Sequence, residues 1–169
     1  AADAGTLVFG VCGGYQMLGR TVSDPEQVEA AGTTEILGMG LLEMDTIFLG
    51  EKVQAQTTGV FAGISGVLSD LNGMSYSGYE IHMGRSEEEM PALAGTGNVY
   101  GSYVHGVFDA SGISDTILKA LCVRKGIDFD ALETFDVEAY KERQYDLLAD
   151  AVRSGLDMEF IYRALNREL

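Results

Sequence analysis

Cysteine is scarce in this chain: Cys12 and Cys122 are the two among 169 residues. They stand far apart without C-x-x-C spacing, which gives no support for a zinc site or a disulfide framework, and reduced thiols are the expectation. Positive charge is scarce as well. The 11 Lys and Arg face 26 Asp and Glu, a net charge of −15, which argues against a nucleic-acid partner, since that needs a clustered basic surface. No apolar run approaches the roughly 20 residues that span a bilayer, so no membrane partner is expected. The opening AADAGTLVFG has no basic segment of a secretory signal. A cytoplasmic protein is the expectation. No internal repeat or clear linker occurs.

Hydrophobic residues make up 46% of the chain, and no low-complexity tract interrupts them, as in a globular domain with a sizeable core. Thr6–Val11 is a continuous apolar run, as in a strand buried on both faces, and a helix is expected from Gly13 to Leu18. Ser23-Asp24-Pro25-Glu26 carries a helix-start signal. Further strands are expected at Leu41–Leu49, Val53–Phe61, Met74–Met83 and Val99–Val104. After Asp109 the period becomes helical, through Ile113, Ile117, Leu118, Leu121 and Cys122, then Val137, Tyr140, Leu148, Ala151 and Val152. Asp157 is placed to cap a last helix that buries Met158, Ile161 and Leu165. Strands first and helices last, with a first strand feeding a helix, predict an α/β layered domain. Because the sequence opens almost at once on a strand without neighbours upstream, it is expected to be the later part of something longer.

Residues Phe9–Gly19 read FGVCGGYQMLG. Within them Gly10–Gly14 has the form G-x-C-G-G, the thiol version of the G-x-S-x-G elbow, in which a sharp strand-to-helix turn lifts the nucleophile into solvent. Glycines permit the strained turn, the helix N-terminus favours an anion beside it, and the Gly13 N–H would face a forming oxyanion. A structural turn at Cys12 explains the motif about as well when it is taken alone. His105 ends a strand, so it too would project from a carboxyl edge, where a partner for Cys12 must stand if the strands share a sheet. A hydrogen-bonded turn histidine is the plainer alternative. His82 lies within a strand on the face opposite Tyr79, Ile81 and Met83 and shares its own face with Glu80, which suits a structural or substrate-contacting role. Cys122 reads as a small core residue and Glu87-Glu88-Glu89 as a solvated loop. Tyr15, Met17, Tyr76 and Tyr79 would suit a pocket or the core equally.

With GVCGGYQMLG, GYEIHMGR and GSYVHGVFD in this order, and ERQYDLLADAVRSGLD near the end, the chain resembles the C-terminal glutamine amidotransferase domains of cobyric acid synthases. The resemblance covers essentially everything from about Thr6 onward. It implies a flavodoxin-like class I glutamine amidotransferase fold with a helical C-terminus, incomplete on its N-terminal side, in which residues 1–169 are the C-terminal portion of the amidotransferase domain. It implies that Cys12 attacks the glutamine side-chain amide, that His105 handles the proton, and that Gly13 supplies an oxyanion donor. Gly14, Tyr15, Gln16, Tyr79 and His82 are then candidates for the glutamine pocket. Ammonia would pass to an ATP- and magnesium-dependent synthetase domain acting on the corrinoid adenosylcobyrinic acid a,c-diamide. That domain is absent here, since no G-x-x-x-x-G-K-[ST] loop occurs, and no cofactor is expected in this chain. Many class I relatives orient the histidine with a glutamate two residues on; here that position is Val107, which implies a Cys-His dyad, with Glu80 or Asp109 as possible substitutes. With the front of the domain absent the chain alone is expected to be weak or inactive, since losing one oxyanion donor typically costs roughly a hundred- to a thousandfold. Two related amidotransferases share the same logic, cobyrinic acid a,c-diamide synthase and the peptidoglycan-lipid enzyme. A non-catalytic docking domain and a cysteine hydrolase are the readings from other classes.

Overall fold

The apolar run ahead of Cys12 forms strand β1, Val8–Val11, and the chain turns at Cys12 directly into helix α1, Gly13–Leu18. The computed structural model describes residues 1–32, 34–86, 91–110, 112–132 and 137–167. The strand is shorter than the apolar run from Thr6, and of its four residues only Gly10 is buried. Its position explains this. β1 pairs in parallel with β7, Val99–Ser102, whose other neighbour is the antiparallel β6, Ala94–Thr96. The order β1-β7-β6 leaves β1 at an edge and β7, buried throughout, at the centre.

A second sheet holds β2 (Thr21–Ser23), β3 (Glu35–Leu37), β4 (Asp45–Val60) and β5 (Ser75–Arg85) in the order β3-β2-β4-β5. The two strands expected at 41–49 and 53–61 are one strand here. Phe48 lies opposite Gly84 and Val53 opposite His82, so the four residues Leu49 to Lys52 stand against Met83 alone. Gly50-Glu51-Lys52 therefore marks a bulge inside a strand, where the local pattern suggested a break between strands. The helix-start signal at Ser23–Glu26 produces no helix. The buried Asp24 carboxylate instead accepts backbone N–H bonds from Val28, Glu29 and Ala30, at 2.8, 3.0 and 3.0 Å, a local bonding pattern that competes with helix formation.

One core cluster joins Leu68, Leu71, Tyr100, Val104 and Ile113; another gathers Tyr15, Leu18, Val99 and Tyr103 behind the elbow. Gly101 is required by this second cluster, because a Cβ there would run into the Tyr15 ring. Helix α2, Ile113–Lys125, carries Cys122 into the core and ends at Gly126 in the left-handed region, φ 65°. Residues 1–132 make one compact unit. Residues 133–169 make another, with α3, Val137–Gly155, and α4, Met158–Leu165. Asp157 caps α4 as expected, accepting from the Phe160 N–H at 2.9 Å. The expected burial of Met158, Ile161 and Leu165 is not found: α4 buries none of its residues and Leu165 is 72% exposed. Two helices by themselves offer too little apolar partner surface to cover such a face. Glu87-Glu88-Glu89 lies outside the described residues. Among those described, no helix is long and apolar enough to cross a membrane.

Candidate active site

Cys12 is held at φ 52° and ψ −114°, a region that a residue with a Cβ occupies only under strain. Bonds on both sides impose it. Its N–H donates to the Ser102 carbonyl at 2.9 Å, continuing the β1–β7 ladder, while its carbonyl accepts the first bond of α1, from the Gln16 N–H at 3.1 Å. Gly10 makes the reversal possible, since a Cβ there would lie 2.6 Å from the Gly14 carbonyl. The half-buried thiol faces the Ile81 carbonyl, with Sγ 3.6 Å from the oxygen.

The elbow opens on a cavity of about 360 Å³. Cys12, Gly13 and Gln16 line it from the elbow, Ile81, His82 and Met83 from β5, Phe48 and Lys52 from the bulged part of β4, and Glu29 from the loop wrapped around Asp24. Of the residues that sequence reasoning assigned to a pocket, Gln16 and His82 are there. Gly14, Tyr15 and Tyr79 are not. Tyr15 is fully buried in the core behind the elbow, where burial raises its phenol above the ordinary range. Tyr79 is half exposed and stacks on His105. Of the residues read as pocket or core, Met17 is 51% exposed and Tyr76 stacks on Phe61, so neither lines the cavity. Lys52, Glu29, Phe48, Ile81 and Met83 were missed. The Gly50-Glu51-Lys52 interruption was a signal for Lys52; nothing local pointed to Glu29.

His105 follows Ser102 by three residues, and Ser102 lies opposite Val11 in the parallel pair. Cys12 and His105 therefore leave the sheet from neighbouring strands at the same carboxyl edge. The His105 N–H donates to the Tyr79 carbonyl at 2.8 Å and the Tyr79 N–H to the His105 carbonyl at 3.1 Å. Gly78 permits this bridge, because a Cβ there would meet the His105 carbonyl oxygen and lie 2.6 Å from Val104 Cγ1. The imidazole lies parallel to the Tyr79 ring, centroids 5.0 Å apart. Its Nε2 is buried and has no hydrogen-bond partner among the described residues. His105 is not part of the cavity lining.

His82 is held differently. Its Nδ1 lies 2.7 Å from the Gly84 carbonyl oxygen and its Nε2 3.3 Å from Glu80 Oε2. A carbonyl only accepts, so Nδ1 carries the hydrogen and donates. The ring stacks on Tyr103 at 3.9 Å, and burial pushes the Tyr103 phenol up. Glu80 thus faces His82 on their shared strand face, as the alternation predicted. Val107, at the position where relatives place a glutamate, is buried in the core. Cys12 and Cys122 are both free thiols. Among the described residues no three His, Cys, Asp or Glu side chains converge as metal ligands would.

Residues 1–113 match the CobB/CobQ-like glutamine amidotransferase domain family. The chain is 45% identical over 190 residues to a cobyric acid synthase of Lachnoclostridium phytofermentans, covering 98% of this chain and 37% of that protein. It is 44% identical over 177 residues to one from Ruminiclostridium cellulolyticum, covering 94% and 34%. A third, from Dehalococcoides mccartyi, is 41% identical over 184 residues, covering 98% and 36%. The chain spans little more than a third of the length of these relatives.

Proposed function

The chain belongs to the CobB/CobQ-like glutamine amidotransferase family, and on that premise we propose that it is the glutamine-hydrolysing part of a cobyric acid synthase. Ammonia released here would serve ATP-dependent amidation of the side-chain carboxylates of adenosylcobyrinic acid a,c-diamide in cobalamin biosynthesis. The observation that carries the reading is Cys12 in a strained strand-to-helix turn, opening on a cavity of about 360 Å³. The likeness to cobyric acid synthases supports the acceptor.

In this reaction the Cys12 sulfur attacks the side-chain amide carbon of glutamine, and the carbonyl electrons move onto oxygen, facing the Gly13 N–H. Collapse of that intermediate breaks the C–N bond. His105, having taken the thiol proton, returns it to the departing nitrogen, and ammonia leaves. Water then adds to the glutamyl thioester, giving glutamate and restoring the thiol. His105 suits the proton step because its Nε2 has no partner among the described residues, whereas both ring nitrogens of His82 are committed to oxygens of their own strand.

Residues 1–169 are, on this reading, the C-terminal portion of the amidotransferase domain of a cytoplasmic enzyme. ATP and magnesium act in a synthetase domain outside them. This chain's own residues do not fit that pair: it has no phosphate-binding G-x-x-x-x-G-K-[ST] loop and no converging metal ligands among the described residues. Glutamine turnover by residues 1–169 in isolation is expected to be weak, with Gly13 as a single proposed oxyanion donor.

Intact-mass labelling of the full-length protein with a glutamine-mimicking electrophile tests the reading. A single adduct that disappears in Cys12→Ser is expected. Absence of any adduct, or an adduct that persists in Cys12→Ser, would leave the elbow with a structural role only.

A further inference from the structure

The cavity over Cys12 has an outer wall that the hydrolysis steps above do not use. Two charges of opposite sign line it, the Lys52 ammonium and the Glu29 carboxylate. Lys52 is one of 11 cations in a chain of net charge −15, and its exposed side chain lines the same cavity as Cys12, where its charge favours an anion. Neither side chain has an ion-pair or hydrogen-bond partner among the described residues.

Each of the two is delivered by a dedicated local structure. Lys52 stands at the end of the β4 bulge, where four residues face Met83 alone. Bulges re-aim side chains, and are over-represented beside active sites for that reason. The Glu51 carboxylate pins this bulge by accepting from Arg85 Nη2 at 3.0 Å across the hairpin. Glu29 sits on the loop that Asp24 gathers by accepting three backbone N–H groups, that of Glu29 itself among them. Burial works against ionisation of Asp24, but the Glu29, Ala30, Val28 and Gln27 backbone donors outweigh it and hold the carboxyl below its ordinary value. The loop is thus tied by a carboxylate that stays charged at neutral pH.

We infer that Lys52 and Glu29 together form the recognition site for the zwitterionic end of an α-amino acid, Lys52 meeting the α-carboxylate and Glu29 the α-ammonium. The inference rests on the amidotransferase reading and adds to it the residues that select the substrate. A free amino acid carries both charges; a glutaminyl residue inside a peptide carries neither, and a simple amide has no α groups. The pair therefore restricts Cys12 to free L-glutamine, and the adjacent elbow receives the uncharged side-chain amide.

The test uses the full-length protein and two electrophiles: an L-amino acid diazoketone isosteric with glutamine, and chloroacetamide, which offers an amide without the α groups. Rate constants for adduct formation on Cys12 are read by intact mass, and their ratio is the measure of recognition. Losing one charge-assisted contact at a partly exposed site is expected to lower that ratio roughly tenfold in Lys52→Ala and several-fold in Glu29→Gln, with Lys52→Arg recovering most of the loss. A ratio that stays within about twofold of wild type in both Lys52→Ala and Glu29→Gln, while wild type still prefers the diazoketone, overturns the inference and leaves the amidotransferase reading standing. Equal slowing with both reagents also overturns it, since the lysine would then be acting on the thiol. Wild-type protein that takes no diazoketone adduct at Cys12 overturns both.

Discussion

His82 and His105 are the chain's two histidines, and their rings are held in opposite ways. His82 is locked: one nitrogen donates to the Gly84 carbonyl, the other faces Glu80, and Tyr103 lies against the ring. His105 is held by its backbone, through the two-bond bridge to Tyr79, with the Tyr79 ring alongside and Nε2 without a partner among the described residues. The locked ring lines the cavity with Cys12, and the unpartnered one follows β7, the strand paired with β1. A ring that shuttles protons needs a free nitrogen and a fixed position, and a wall needs neither. The proposed function places proton transfer on His105 and leaves cavity shape to His82.

Changes on the His105 side should therefore cost most. Gly78→Ala places a Cβ against the His105 carbonyl oxygen, and backbone must yield. Displacement of a catalytic group by about an ångström can cost roughly a hundredfold, so glutamine turnover in the full-length protein is expected to fall by that order, with a lowered Tm. A lowered Tm with turnover intact would mean that the position of His105 does not matter to the reaction. Tyr79→Ala keeps the backbone bridge and removes the ring alongside the imidazole. A loss of about fivefold in kcat is expected, in line with an aromatic pair worth about 0.5–1.5 kcal/mol, and KM should move less.

The two regions differ in how far local sequence rules reach. The elbow, the start and end of α1, the strand ending near His105 and the shared face of Glu80 and His82 all follow from glycine placement and from periods of two or 3.6 within a few residues. Those rules act locally, and the sequence displays them. The bulge before Val53 depends on how β4 registers against β5, and the Asp24 turn on which of two local bonding patterns wins. Lys52 and Glu29 reach the cavity only through those features, so they were missed. Tyr15 went the other way: its aromatic character suited a pocket, but Gly101 opens space for its ring in the core. The three-residue strands β2, β3 and β6 are too short to carry a period at all.

The smallest expected effect tests the loop that carries Glu29. Because the folded state holds Asp24 below its ordinary value, the stability it contributes is fully present above the ordinary carboxylate pKa of about 4. It is lost as pH falls through the lower folded value. Asp24→Asn should lower Tm at neutral pH and make no further difference in strong acid, where wild type has lost the same contribution. A Tm difference that instead widens below pH 4 would show that the carboxylate does not hold this loop.

The most direct measurement compares His105→Gln with His82→Gln in the full-length protein, by kcat/KM for glutamine hydrolysis at neutral pH. A loss of roughly a thousandfold or more is expected for His105→Gln, as for general acid–base groups elsewhere, and roughly tenfold or less for His82→Gln, carried mainly by KM. A larger loss in His82→Gln than in His105→Gln would contradict this and move the proton chemistry to the ring that lines the cavity.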